Sequence, residues 1–259
     1  MVRDADTTAL PPLDGPVLNP DATRRTEGAD RLGAEVLDAA RALPENRERL
    51  LKLTGGLHSL DPISLAGDDT RFAFWLNVYN ALLLHALDAT GARGSVLTKL
   101  SLFSRSAYAI GGRRYSLNVI EHGLLRRNAR VPLSCRCTLR TGDPRLDAAP
   151  RTFDPRVHFA MNCGARSCPP IRTYLSGALS KQLDLATSSY FASEASLDRS
   201  RREITLPRLM KYFAEDFGDR EAALRFAARH LEASDGAWLL ENLGSMKVRH
   251  SPYDWTIVR

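Results

Sequence analysis

Apolar residues recur at helical spacing from Glu27 to Leu43 and again from Asn46 to Leu53, with Gly55-Gly56 following. The pattern predicts a helical hairpin ending in a turn, and hence a helical N-terminal layer. The strongest helical pattern runs from about Arg71 to Ala89, with Asp68, Asp69 and Thr70 as cap candidates and Gly91 as its stop. Phe72, Trp75, Leu76, Tyr79, Leu83 and Leu87 form one stripe, which Phe74, Val78 and Leu82 widen until the helix is apolar nearly all round. A helix with so little polar surface belongs at the centre of a domain. Asn77 and Asn80 interrupt it on one face; a buried amide without partners is costly, so each must bond backbone, another side chain or a ligand.

Ala107 to Ile110 and Arg113 to Ser116, flanking Gly111-Gly112, read as a β-hairpin, and a short helix starting near Leu117 carries Glu121 and His122. Adjacent helical residues point about 100° apart, so this pair reaches one site only at the helix's edge, or with one residue supporting the other. Asp154-Pro155 opens an expected strand from Arg156 to Asn162, with His158, Ala160 and Asn162 on one side, ending in Cys163-Gly164. Beyond it we expect a helix from about Leu175 to Phe191 and a strand from Glu203 to Leu206. Helices from Pro207 and from Arg220 to Glu232 follow, then a closing strand near Met246 to His250. Residues 1–25, broken by Pro11-Pro12, Gly15-Pro16 and Asn19-Pro20, read as an arm that is loose or lies over the surface, leaving 26–259 as one globular domain. The expected architecture is α/β or α+β: a central sheet, a buried central helix and the helical N-terminal layer.

Composition narrows the function classes. A chain of 259 residues with 44% hydrophobic and 25% charged residues buries a large core, which excludes wholesale disorder and fibrous classes. The net charge of +6 would suit an anionic partner, but the arginines form short, scattered pairs such as Arg24-Arg25 and Arg201-Arg202 without interleaved aromatics. No nucleic-acid partner is expected. No apolar run reaches the roughly 18–20 residues that span a bilayer, and Met1 to Asp21 lacks the charged start and apolar middle of a secretion signal, so no membrane partner is expected. Four cysteines, at 135, 137, 163 and 168, are too few for a disulfide scaffold and favour a reducing compartment, read as cytoplasmic. Nothing in the sequence fixes an oligomeric state.

Chemistry concentrates between His158 and Pro170, where an imidazole, an amide, two thiols and a guanidinium fall within 13 residues. A thiol attacks only as thiolate, so it needs an imidazolium, a helix N-terminus or a metal nearby. With Cys163 as leading nucleophile and Cys168 beside it, His122 or His158 serves as base and Glu121 orients the ring. Backbone N–H groups around Gly164 hold the oxyanion, Asn77 and Asn80 position substrate or the oxyanion, and Arg156 or Arg166 grips a carboxylate. The expected activity is thiol-dependent acyl transfer, amide hydrolysis or cyclisation on a small-molecule or peptidyl substrate, with no cofactor. Two other readings stand beside it. One is a non-enzymatic ligand-binding module fixed by a buried polar network, since buried thiols are usually inert. The other is zinc held by His158, Cys163 and Cys168, with Cys135 or Cys137, although four residues separate each of the first three, unlike the usual Cys-x-x-Cys knuckle. A Cys163–Cys168 disulfide giving redox control is a further option. Gly-rich phosphate loops, Gly-x-Ser-x-Gly elbows and His-Glu-x-x-His helices are missing from the sequence.

The runs Phe74-Trp75-Leu76-Asn77-Val78-Tyr79-Asn80-Ala81 and Ile120-Glu121-His122-Gly123-Leu124-Leu125-Arg126, then the whole stretch Asp154 to Pro170, closely resemble the domain-of-unknown-function 547 family. Tyr174, Gln182-Leu183, Ala186-Thr187, Leu206-Pro207, Tyr212, Asp216-Phe217 and Tyr253-Asp254-Trp255 continue the likeness in order, so that it covers about Asp61 to Trp255. The family carries no agreed activity. For the fold, the resemblance implies an α/β or α+β domain with a distant papain-like or transglutaminase-like look. Those enzymes place cysteine at the start of a central helix, where this chain has Asn77, so any acting thiol must come from Cys163 or Cys168.

Overall fold

The computed structural model describes residues 17–23, 28–132, 134 and 136–258. Helices α1 (Ala29–Arg41) and α2 (Arg47–Gly55) form the expected hairpin, and α1 lies along α3 (Asp68–Thr90). Gly33 permits that approach, since a Cβ there would come within 3.2 Å of the Phe74 ring. Helix α3 is buried from Phe72 to Leu83 and stops at Gly91, whose φ of 61° is a conformation that glycine adopts without strain. Its all-round apolar surface is what makes it the core, in place of the central sheet the sequence suggested.

The sheets are small. A short helix α4 (Ser101–Arg105) leads into the hairpin β1 (Ala107–Ile110) and β2 (Arg113–Ser116), paired as expected. Helix α5 (Leu179–Glu194) is followed by β3 (Ser196–Asp198) and β4 (Glu203–Leu206); α6 (Arg208–Tyr212), α7 (Arg220–Ala228) and α8 (Ala233–Asn242) then precede β5 (Lys247–His250). Strand β4 pairs antiparallel with β3 and parallel with β5. The helix expected through Glu232 breaks after Ala228, and the chain turns back at once into α8. Gly236 makes this possible, because it sits directly on the carbonyl of Ala228.

The expected strand from Arg156 to Asn162 does not form. Pro155–Phe159 is a 3-10 turn whose start is capped by Asp154, its Oδ1 accepting the Arg156 N–H at 2.9 Å. An Asp cap followed by proline is a helix-start signature, and here it overrides the alternating pattern. The segment bridges two apolar clusters: Val157, Ala160 and Met161 pack with α3, while Phe159 packs with α5 and α7. The described part of the arm lies largely at the surface and is anchored at Asn19. Asn19 is 1% exposed; its amide donates to the carbonyls of Thr54 and Ala109 and accepts from Ala109 N–H. The rest of the arm, 1–16 and 24–25, lies outside the described residues. No helix among them is long and apolar enough to cross a membrane.

Burial also sets an acid sensitivity. His85 of α3 meets the Tyr108 hydroxyl at 3.1 Å, and burial, assisted by Arg47, pushes its pKa down to about 4. Its neutral ring therefore favours the fold fully above the ordinary value of 6.5, and this contribution is lost as pH falls from 6.5 towards 4. It is worth up to about 3 kcal/mol. Urea midpoints measured between pH 7 and pH 4.5 should fall steadily, and less so in His85→Asn; equal slopes in the two proteins would remove His85 from the account.

Candidate active site

The five residues given chemical roles, Glu121, His122, His158, Cys163 and Cys168, line one cavity of about 460 Å³. Glu121 and His122 sit on Val119–Leu125, which is a π-helix: Arg126 N–H bonds Glu121 O and Asn128 N–H bonds Gly123 O, each five residues back. The wider winding reduces the angle between neighbours and so lets both side chains reach the cavity. Such turns are rare and frequently mark functional sites.

A buried charge network stands behind the histidines. Arg126, 4% exposed, forks onto Asp216, Nε to Oδ2 at 2.5 Å and Nη2 to Oδ1 at 3.0 Å. Its Nη1 donates to His122 Nδ1 at 2.9 Å and to the Arg130 carbonyl. His158 Nε2 meets Asp216 Oδ2 at 2.7 Å, and its ring stacks on Phe213. Burial opposes charge on Asp216, yet the hydrogen bonds from His158 and Arg126 hold its pKa below the usual carboxylate value. Burial pushes His158 down despite Asp216, and pushes His122 down despite Glu121, so both rings are neutral near pH 7.

Neutral rings with these partners have opposite tautomers. A guanidinium only donates, so His122 Nδ1 is the acceptor and its Nε2 carries the proton. His158 gives its Nε2 proton to the carboxylate, which leaves Nδ1 as a bare lone pair; that atom is buried and has no partner among the described residues. The site thus holds one imidazole donor and one imidazole base.

The thiols have different company from that expected. Cys168 Sγ accepts the Cys163 N–H at 2.9 Å and lies 3.2 Å from the Tyr253 hydroxyl; Cys163 Sγ lies 3.5 Å from the same hydroxyl. Among the described residues neither sulfur is hydrogen-bonded to an imidazole. Burial resists ionisation of Cys168, but donation from the Cys163 thiol, from Tyr253 and from backbone N–H groups carries its pKa below the ordinary thiol value. Cys163 is pushed the other way, first by its bond to Cys168 and then by burial. Of the two sulfurs Cys168 is therefore the one that ionises more readily, and Cys163 the one that holds its proton more tightly. The loop is held by Asn162, whose Oδ1 accepts Gly164 N–H at 2.6 Å and whose Nδ2 donates to Pro169 O. The amides of 163 and 164 expected to hold an oxyanion are thus engaged, one by sulfur and one by Asn162.

Four expected substrate contacts do not line the cavity. Asn77 clamps Tyr174, donating to its carbonyl at 2.8 Å and accepting its N–H at 2.9 Å. Asn80 does the same across Ala160 O and Asn162 N–H, both at 3.0 Å, and so fixes the entry to the thiol loop. Arg156 is consumed by Asp154 and Asp184 away from the cavity, and Arg166 is an exposed partner of Asp254. Among the described residues no group of three or more His, Cys, Asp or Glu is placed to hold a metal, so the zinc set His158, Cys163 and Cys168 does not assemble. Cys135 lies outside the described residues. Asp216, Arg126, Tyr253 and Tyr79, which donates to Glu121 Oε2 at 2.9 Å, belong to the site and were not picked from sequence for it. Only Arg126 carried a local signal, being one helical turn from His122.

Comparison with curated proteins and with solved structures finds no significant match. The papain-like or transglutaminase-like likeness accordingly gains no support from a structural neighbour. Residues 63–191 match the family described as "Protein of unknown function, DUF547". That segment contains α3, the π-helix and the whole thiol loop, while Asp216 and Tyr253 come from beyond it. Through it, the chain belongs to the DUF547 family.

Proposed function

We propose that this protein is a thiol-dependent enzyme of acyl transfer, amide hydrolysis or cyclisation, with Cys168 as the nucleophile. The observation that carries the reading is the set of donors around the Cys168 sulfur, in the cavity that His122 and His158 also line. The Cys168 thiolate adds to an acyl carbon, and the His122 Nε2–H donates to the carbonyl oxygen as it becomes negative. Cys163 gives its proton to the leaving group as the acyl–leaving-group bond breaks. Water or an acceptor alcohol or amine then attacks the thioester while the Cys163 thiolate left by the first step removes its proton and Cys168 departs as thiolate. Return of that proton to the Cys163 sulfur regenerates the starting state.

A binding module is favoured by one observation, the closed hydrogen bonding of Arg126 with Asp216 and His122. Iodoacetamide labelling at pH 7 with mass mapping separates the two. The enzyme reading expects Cys168 to be alkylated ahead of the other three thiols and about tenfold faster than free glutathione. Uniformly slow labelling of all four would leave the module.

A further inference from the structure

The geometry points to an uncharged substrate bearing an aliphatic or aromatic chain, an amide, ester or thioester rather than an acid or a phosphate. This rests on the thiol reading for the reaction but not for the binding. Besides the reactive groups, Asn118, Asn162 and the tyrosine hydroxyls, the cavity wall is apolar, and Val96, Leu97, Leu100 and Phe103 supply a stretch of it together with Trp255. Leu97 and Leu100 are 51% and 60% exposed, and exposed large apolar side chains gathered at a cavity are the mark of a binding surface. Their segment is not a stray loop end: Val96 N–H bonds the Trp255 carbonyl at 2.9 Å and Ile257 N–H bonds Gly94 O at 2.7 Å, so the wall is held against the chain that carries Tyr253. At about 460 Å³ the cavity has the size of a small-molecule site, for which roughly 300–1,000 Å³ is usual.

Charge decides the rest. Among the described residues no lysine or arginine lines the cavity. Arg126, behind it, already serves Asp216, His122 and a carbonyl, while Arg156 and Arg166 are paired elsewhere. The two histidines are neutral near pH 7 by burial, and the acidic side chain of Glu121 lies in the lining. An anionic ligand would lose its hydration here and find no cation among the described residues. An uncharged carbonyl compound meets none of these costs, and its chain covers the leucines.

The test is calorimetric titration of the whole protein with octanamide and with octanoate at pH 7.5, repeated on Leu97→Ser/Leu100→Ser and on Cys168→Ser. Octanamide should bind about tenfold or more tightly than octanoate, and the double leucine variant should weaken octanamide by about tenfold. Cys168→Ser should keep the preference for the amide, since binding does not require attack. Equal or tighter binding of octanoate, no binding of octanamide, or indifference to the leucine changes overturns the inference. Preference for the amide alongside uniformly slow thiol labelling supports it and sinks the catalytic reading alone.

Discussion

Asp216→Asn should lose about 3–5 kcal/mol of unfolding free energy at pH 7, the range for breaking a buried ion pair from one side. The side chains of Arg126 and Asp216 are 2% and 7% exposed, so the guanidinium keeps its charge where water cannot compensate it. The substitution preserves shape while removing the charge, and turns an amide N–H₂ towards donors that have nothing to accept. Native domains have only about 5–15 kcal/mol to lose, so the variant should sit near the edge of folding. Arg47→Ala supplies the contrast, because its bond to Asp88 is also 2.5 Å but the Arg47 side chain is 47% exposed. An exposed pair of that kind is worth about 0–1 kcal/mol. The sign with pH follows from the depressed pKa of Asp216: its contribution is complete above about 3.8 and disappears as pH falls through its lower folded value. The gap contributed by the carboxylate should therefore persist at pH 7 and close only as pH falls well below 3.8. Urea denaturation decides it, and a deficit no larger than that of Arg47→Ala would mean that solvent already screens the pair.

The parts of this molecule that could be read from sequence are those fixed by neighbours along the chain. The apolar stripes of α3, its Gly91 stop and the Gly111-Gly112 hairpin are local, and each forms within a few residues of expectation. Asn77 and Asn80 were rightly required to find partners, but the partners are backbone groups 97 and 80 residues away, and nothing near position 77 says whether an amide will clamp a loop or hold a substrate. The stretch from 156 to 162 fails for a different reason. Three apolar residues alternating with three others fit a strand and an irregular connection equally, and Asp154-Pro155 was read as an opening rather than as a cap. That His158, Cys163 and Cys168 share one cavity followed from their density in the sequence, and Glu121 and His122 join them from the π-helix. Their pairing did not, since Asp216 and Tyr253 each approach from 58 to 90 positions away. Asp216 assigns the His158 tautomer, and the Tyr253 hydroxyl reaches both sulfurs.

Cys168→Ser should lower turnover of a neutral aryl ester or thioester at pH 7 by about 10³-fold or more, the scale on which loss of a nucleophile is felt. A serine hydroxyl in the same place would accept the Cys163 N–H, but the surrounding donors cannot ionise an alcohol as they do a thiol. Cys163→Ala should behave differently. It leaves the nucleophile in place and removes both a donor to its sulfur and the proton for the leaving group, so the Cys168 pKa rises towards the ordinary thiol value. Its rate should therefore fall at pH 7 and recover as pH increases, the rising limb of the profile moving to higher pH. Tyr253→Phe removes the other side-chain donor and should move that limb the same way, while Cys168→Ser should show no recovery at any pH. If instead Cys163→Ala is the variant that stays dead across the profile and Cys168→Ser is rescued by alkali, the proton and the charge have been placed on the wrong sulfurs. The donor count around Cys168 would then describe a loop anchor.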